Sequence, residues 1–174
     1  MREWEMQHFT ARMTIILGLL GLGVGGSSWG QQGKPWTASQ PNLKQLPPLK
    51  RQDSPKAVVD EHLDALNHCD WQRLMAQYPP QAEFFLPGGQ VIKGREQVGE
   101  LFATLVKPVK EGGLCGAKFE IEHEFLVGGT LNAQWRATAD FLVEPYKGAD
   151  AYVTKDGLLW AIVTTFQKDQ LKTR

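Results

Sequence analysis

The hydrophobic pattern of this chain changes its period once, and that change restricts the folds open to it. Over residues 59–78 and 98–106 the apolar side chains recur at helical spacing, whereas over 118–166 they alternate with polar ones, as in half-buried strands. Ser54-Pro55 and Asp70 are typical of helix starts. The pattern therefore predicts one α+β domain over residues 54–168, in which about three helices close a cone-shaped, curved antiparallel sheet.

Charge and motif content exclude several classes of function. The 174 residues contain 19 Lys+Arg and 19 Asp+Glu, so the formal net charge is zero and no basic surface for nucleic acid is expected. The sequence contains no phosphate-binding loop, and its two cysteines have no zinc-like spacing. We therefore expect no metal site, no cofactor and no nucleic-acid partner.

The N-terminus has the features of an export signal. An uncharged apolar run over residues 14–24 follows two arginines, and small residues at Ser28 and Gly30 suit a signal peptidase. The run is shorter than the ~20 residues that span a bilayer. We therefore expect residues 1–30 to be a signal peptide cleaved after Gly30, no stable membrane span in the mature chain, and a periplasmic or secreted protein. The alternatives are an uncleaved anchor and a true start at Met13.

Two segments flank the predicted domain and lack apolar periodicity. Residues 31–53 contain four prolines among Gln, Lys and Ser, which predicts an extended linker. Residues 169–174 form a short C-terminal tail.

Whether Cys69 and Cys115 form a disulfide depends on the compartment in which the protein resides. An exported protein meets an oxidising environment in which they can form a disulfide. The sequence does not establish whether the two loops that carry them meet, so free thiols are the alternative.

Three local motifs occur in a recognisable order. Ala65-Leu66-Asn67 precedes Asp70 at the junction of the first two helices, Pro87 is followed by Gly94 around a short hairpin, and residues 150–158 form the final hairpin. In order and spacing the chain resembles the nuclear transport factor 2-like fold, also called a cystatin-like α+β roll. Within it the chain resembles the SnoaL-like group, which includes ketosteroid isomerase, polyketide cyclases, scytalone dehydratase and limonene epoxide hydrolase. The resemblance covers the whole predicted domain.

This resemblance implies a conical pocket that binds a small apolar molecule, with acid–base isomerase, dehydratase or cyclase chemistry as one function. The alternative is a non-catalytic ligand-binding or dimerisation module of the same fold, because this fold carries many unrelated functions. A homodimer is expected by resemblance only.

The resemblance also assigns candidate catalytic positions. In ketosteroid isomerase an Asp near the end of the first strand is the base, while a Tyr on the first helix and a protonated Asp on a long strand form the oxyanion hole. These positions fall at Leu86, His62 and Asp150. Because leucine cannot take a proton, steroid isomerisation by that mechanism is not expected, and Asp150 and His62 become the candidate catalytic residues. His123, on the apolar face of its strand, is a third candidate, with a core or interface histidine as the alternative.

The resemblance also implies that five residues line the cavity and contact the ligand. They are Leu86, Leu101, Trp135, Tyr152 and Phe166. Aromatic walls suit a flat apolar ligand. The alternative is that the aromatic residues only pack the core, and that Asp150 is a solvated carboxylate at a loop edge.

Overall fold

The structure is a computed structural model that describes residues 45–174. The predicted signal peptide and most of the predicted linker lie outside the described residues. Three α-helices and six strands make up the described part of the chain. The helices are α1 (Pro55–Asn67), α2 (Trp71–Met75) and α3 (Arg95–Leu105), and the strands are β1 (Glu83–Phe85), β2 (Val91–Lys93), β3 (Lys118–Val127), β4 (Thr130–Thr138), β5 (Tyr146–Lys155) and β6 (Leu158–Phe166).

The predicted helix starts are confirmed by their hydrogen bonds. The Ser54 hydroxyl accepts the Ala57 backbone N–H at 3.1 Å, and the Asp70 carboxylate accepts the Arg73 backbone N–H at 3.0 Å. These caps satisfy amide groups that the first turn of a helix leaves unpaired. They fix where α1 begins and where the chain turns into α2, so that the buried face of α1 lies over the sheet.

The six strands form one sheet in the order β2-β1-β6-β5-β4-β3. Neighbouring strands are antiparallel, except that β1 runs parallel to β6. The sheet is therefore mixed, whereas the sequence predicted only antiparallel pairing. The predicted α+β cone is otherwise confirmed, with helices covering one face of a curved sheet.

Strand register places the inward side chains in rows that run across the sheet, since directly paired residues point to the same face. The first row contains Phe84, Ile162, Tyr152 and Leu131. The second row contains Thr164, Asp150 and Ala133. The third row contains Phe166, Gly148, Trp135 and Ile121. Leu86 follows β1 directly and lies beside the second row. Asp150 is thus at the middle of the inner face.

A β-bulge in β3 reverses the side-chain alternation. Ile121 pairs with Trp135 and His123 pairs with Gln134, so Glu122 is an extra residue. An extra residue moves every later side chain to the opposite face. The prediction that His123 faces the interior is therefore wrong, because its side chain lies exposed on the outer face. Phe125 is turned outwards by the same shift and is 63% exposed.

Segments from both ends of the described chain pack on the domain. The Lys50 N–H donates to the Ala76 carbonyl at 2.8 Å, and the Gln52 N–H donates to the Gly157 carbonyl at 2.9 Å. In the tail, the Val143 N–H donates to the Lys172 carbonyl at 3.0 Å. The last part of the predicted linker is thus bonded to the domain. Within residues 45–174, no helix is long and apolar enough to cross a membrane.

The two cysteines are joined in a disulfide. The sulfur atoms of Cys69 and Cys115 lie 2.08 Å apart, and their Cα atoms lie 5.8 Å apart. The bond connects the α1–α2 junction with the loop that leads into β3, across a sequence separation of 46 residues. It therefore ties the helix layer to the start of an edge strand.

Candidate functional site

Asp150 lies on the inner face of β5, in surroundings that favour its neutral form. One carboxylate oxygen, Oδ2, accepts a hydrogen bond from the Tyr152 hydroxyl at 2.8 Å. Burial raises the pKa of Asp150 above its ordinary value of 3.8, while the nearby Thr164, Tyr152 and Trp135 side chains pull it back down. Burial dominates, so this carboxyl gains a proton more readily than a carboxyl in water.

The other oxygen of Asp150, Oδ1, is buried and accepts no hydrogen bond from the described residues. The indole Nε1 of Trp135 is likewise buried and donates to none of them. The indole faces the carboxyl closely enough to affect its pKa, but the two groups do not meet in hydrogen-bond geometry. The centre of the inner face thus holds one unpaired acceptor and one unpaired donor.

Gly148 determines where the Trp135 indole lies. A Cβ atom added at Gly148 would come within 2.2 Å of the indole Cζ2, so the ring rests directly on the bare backbone of β5. Phe119 and Tyr146 contact the same ring, with centroids 5.6 and 6.0 Å away. The missing side chain therefore lets the indole lie flat against the strand, two residues from Asp150.

His62 is buried on the inward face of α1, with 3% of its surface exposed. Its Nδ1 lies 3.3 Å from the Tyr78 hydroxyl, and its ring packs against Phe102 and Tyr152. Burial lowers the pKa of His62 from 6.5 to about 4. The imidazole is therefore neutral near pH 7, and one ring nitrogen is paired with a phenol.

Tyr78 and Tyr152 connect the two candidate residues. Burial raises the pKa of both phenols well above 10.0, and the negative charge of Asp150 adds to the effect on each. The rings of His62 and Tyr152 are 5.7 Å apart. Asp150 and His62 are thus brought into one buried polar cluster, defined here as His62, Tyr78, Tyr152 and Asp150, in which phenols lie between a neutral imidazole and a carboxyl.

Tyr78 could not be recognised from the sequence as a member of this cluster. Its spacing in the α2 segment indicated only an apolar helix face, and Pro79-Pro80 marked the end of that helix. The structure ends α2 at Met75, and the turn that follows points Tyr78 into the cone. No local signal distinguishes this phenol from an ordinary core residue.

The five predicted lining residues all reach the inner side, but to different depths. Tyr152 and Trp135 are buried, while Leu86, Leu101 and Phe166 are half-buried. Phe166 lies beside Tyr146, with ring centroids 6.1 Å apart. The deep part of the cone is therefore filled by aromatic side chains, while its rim is half-buried.

Two further grooves lie away from the polar cluster. A groove of about 320 Å³ runs between α1 and β3, past Lys56 and Asp60, and one of about 670 Å³ lies along the outer face near Glu122, Arg136 and Lys147. Both are open and lined largely by paired charges. Exposed His123 borders the second groove and is not brought together with Asp150 or His62.

A helix layer that closes a curved six-stranded sheet over a buried polar cluster defines an α+β cone of the nuclear transport factor 2-like class. The chain belongs to the SnoaL-like domain family, whose model matches residues 59–162. No curated protein sequence matches the chain significantly.

Solved structures share the fold at low sequence identity. The epoxide hydrolase/cyclase-like enzyme SalBIII, which has a role in pyran ring formation in the polyether salinomycin, is 15% identical with a TM-score of 0.57, over 69% of this chain and 95% of that one. A candidate ketosteroid isomerase from Kribbella flavida is 16% identical with a TM-score of 0.54, over 66% and 78%. An NTF2-like protein of unknown function from Cytophaga hutchinsonii is 15% identical with a TM-score of 0.54, over 70% and 96%. At these identities the likeness shows the fold alone.

Proposed function

We propose that this chain is an exported SnoaL-like domain that binds a small, mostly apolar molecule beside Asp150 and acts on it by acid–base chemistry. The main support for the proposal is that the two oxygens of the Asp150 carboxyl differ in their hydrogen bonding. Oδ2 is held by the Tyr152 hydroxyl, while Oδ1 is buried and free to exchange a proton with a bound molecule. A raised pKa supports the same role, because it brings the carboxyl towards the pH at which an acid or base works best.

The surroundings of Asp150 favour a reaction that needs a single carboxyl group. Leu86 occupies the position that resembles the base of ketosteroid isomerase, so β1 supplies no second proton acceptor. Asp150 donates a proton to the bound molecule, or accepts one from it, through Oδ1. When the carboxylate is charged, the hydrogen bond from the Tyr152 hydroxyl stabilises that charge. His62 and Tyr78 lie behind this pair and hold a neutral hydrogen bond within the cluster. A dehydratase or cyclase step with a single acid fits this arrangement better than a proton shuttle between two bases.

Export is part of the proposal and has two supports. The apolar run over residues 14–24 has the length and flanks of a signal peptide. The bond between Cys69 and Cys115 is of the kind that persists in oxidising compartments.

The test is a thermal-shift screen of small apolar ring compounds against the wild type and Asp150→Asn. Because the substitution keeps the shape but removes the ionisable group, we expect the fold to persist and the stabilisation by any binding compound to change. Asp60→Asn is the matched control, since Asp60 is exposed on α1 and pairs only with Lys56. Equal stabilisation of wild type and Asp150→Asn by every binding compound would contradict the role of Asp150.

One observation favours the alternative function, a dimerisation module. The outer face of the sheet carries a central patch of small and apolar side chains: Phe85, Ala149, Ala151, Val153, Ala161 and Val163. Val163 is 42% exposed there. Charges of both signs, such as Glu122, Arg136 and Lys147, border the patch, so two copies related by a two-fold axis can pair them.

A further inference from the structure

The end of strand β3 is an open edge of the sheet that carries apolar side chains on both faces. Within residues 45–174, the only neighbour of β3 is β4. Phe125, Leu126 and Val127 are 63%, 49% and 61% exposed. Leu126 pairs with buried Leu131 and so lies on the inner face, which leaves its two neighbours on the outer face. A partner that covered one face of the sheet would therefore leave part of this surface in water.

The backbone of the same segment offers hydrogen-bonding groups to the open edge. Val127 and Thr130 flank a two-residue turn, and such a turn is closed by hydrogen bonding between the residues that flank it. Opposite residues in an antiparallel ladder alternate between hydrogen-bonded and non-hydrogen-bonded pairs. The N–H and C=O groups of Phe125 and Val127 therefore face β4, whereas those of Glu124 and Leu126 face away from it, towards the edge.

These backbone groups favour a protein strand over a lipid surface as the occupant. Lipid tails neither donate nor accept hydrogen bonds, so an open strand edge is not buried in a bilayer. The edge also lacks the usual protection, because residues 123–127 contain no lysine or proline and the Glu124 carboxylate lies 3.2 Å from the Lys56 ammonium. The bulge at Glu122 interrupts the ladder just before this segment, so regular pairing is confined to residues 123–127.

The charge pattern of β3 favours a second copy of the chain in one register. A two-fold axis through Phe125 aligns Glu124 with Leu126 of the second copy, and both of these residues present their backbone groups to the edge. The same axis places the two Phe125 rings beside each other as a cross-strand aromatic pair. Moving the axis one residue towards the start of β3 would place the two Glu124 carboxylates directly opposite each other, which is unfavourable. Moving it towards the turn would shorten the paired segment.

We propose that two copies of this chain associate through residues 123–127 of β3, in an antiparallel pair about Phe125 that joins their sheets edge to edge. The edge-facing N–H and C=O groups of Glu124 and Leu126 form the hydrogen bonds of this pair. The contact goes beyond the proposed function, because it uses neither the polar cluster of the inner face nor the apolar patch of the outer face. It also covers Leu126, which a dimer through the outer face leaves exposed.

Hydrogen exchange of the whole protein, followed by nuclear magnetic resonance at increasing protein concentration, tests the contact directly. The amides of Glu124 and Leu126 should exchange more slowly as the concentration rises. The amides of β2, at the opposite edge of the sheet, should not change. Rapid exchange of the two β3 amides at every concentration would overturn the proposal. Slow exchange at every concentration would overturn it too, because the edge would then be paired within one chain.

Leu126→Pro separates this contact from other modes of association. The Leu126 N–H faces the open edge, so proline removes no hydrogen bond within the chain but removes one per copy from the edge pair. We expect the dissociation constant of the dimer, measured by sedimentation equilibrium, to rise at least about tenfold. Leu126→Glu keeps the N–H and places a carboxylate opposite Glu124 of the second copy, so it should weaken the dimer even if the proline variant does not fold.

Val143→Glu is the matched control, because Val143 is a 51% exposed apolar residue of the β4–β5 loop and lies outside β3. It should dimerise as the wild type does. Loss of the dimer in Val163→Lys but in neither Leu126 variant would place the contact on the outer face and overturn the proposal. Slower exchange of the β3 amides on addition of phosphatidylcholine vesicles, but not with protein concentration, would show that lipid covers this segment and would overturn it as well.

Discussion

Burial acts in opposite directions on the two candidate catalytic residues. It raises the pKa of Asp150 and lowers that of His62, so both groups are pushed towards their neutral forms. In their neutral forms neither group places an unpaired charge in the apolar interior, where such a charge is costly. The tyrosines that separate them hold both groups in hydrogen bonds.

The shifted His62 pKa predicts a loss of stability in mild acid. The unfolded chain takes up a proton near pH 6.5, whereas the folded protein takes it up only near pH 4. The stabilisation is therefore present above pH 6.5 and is lost as the pH falls towards 4, by up to about 3 kcal/mol. Asp150 changes the free energy of unfolding in the opposite direction, because a carboxyl whose pKa is raised in the folded state stabilises the fold at low pH.

Urea unfolding of the wild type and of His62→Phe between pH 7.5 and 4 isolates the histidine contribution. We expect the difference in free energy of unfolding between the two proteins to change over that interval. His123→Gln lacks one exposed histidine instead and should behave as the wild type does. Parallel pH profiles for wild type and His62→Phe would show that the imidazole is not held neutral.

The inward position of Asp150 could be predicted from the sequence, while that of His123 could not. The inward position of Asp150 is implied by the family resemblance, and β5 is regular at that point. His123 follows Glu122, the extra residue in β3, and one inserted residue reverses every later prediction from a period of two. Nothing in the local sequence marks the bulge, because it depends on how β3 pairs with β4.

At the scale of elements, the disulfide is the strongest covalent constraint on the helix layer. It joins the α1–α2 junction to the loop before β3, and the two segments also meet where the Asn67 side chain bonds both backbone polar groups of Phe119 at 2.7 and 3.0 Å. The start of β3 is thereby held against the C-terminal end of α1. Phe119, whose ring packs against the Trp135 indole, lies within this region.

Reduction of the disulfide should lower stability measurably. Closing a loop of 46 residues restricts the unfolded chain by up to about 4 kcal/mol in the chain-entropy treatment. We expect a lower melting temperature for the oxidised wild type when reductant is added, and the same melting temperature for Cys69→Ala/Cys115→Ala with or without it. The double variant thus controls for effects of the reductant on other groups. Identical melting of the wild type in both conditions would contradict the bond.

Element types could be predicted over most of the domain, but the pairing of the first hairpin could not. Alternation and turn residues indicate strands around residues 82–86 and 158–166 without specifying which edges meet. β1 and β6, which pair in parallel, are separated in sequence by α3 and by four other strands, so no local pattern specifies that they meet. The bonding of Lys50 and Gln52 to the domain is a long-range contact of the same kind, in a segment whose composition indicated only a linker.

At the scale of the whole molecule, the two faces of the sheet offer the two alternative functions. The inner face carries the polar cluster, and the outer face carries the apolar patch around Val163. A dimer through the outer face leaves the inner face accessible, so the two functions are compatible. They differ in what each predicts for the mass of the protein in solution.

Sedimentation equilibrium of wild type and Val163→Lys tests the outer face. If two copies pair there, a charge in the middle of the patch should convert a dimer into a monomer without altering the helical signal in circular dichroism. Thr104→Lys, at an exposed position on α3 and away from the outer face of the sheet, is the control and should leave the dimer intact. A wild type that sediments as a monomer at all concentrations would exclude the dimerisation module.

The central claim is that Asp150 is a buried carboxyl whose neutral form the cone favours. The most direct test follows the side-chain carboxyl carbon of Asp150 by nuclear magnetic resonance through a pH titration, with Asp150→Asn to assign the signal. We predict a midpoint above the ordinary 3.8. A midpoint at or below 3.8 would show a solvated or ion-paired carboxylate and would contradict both the site and the function proposed for it.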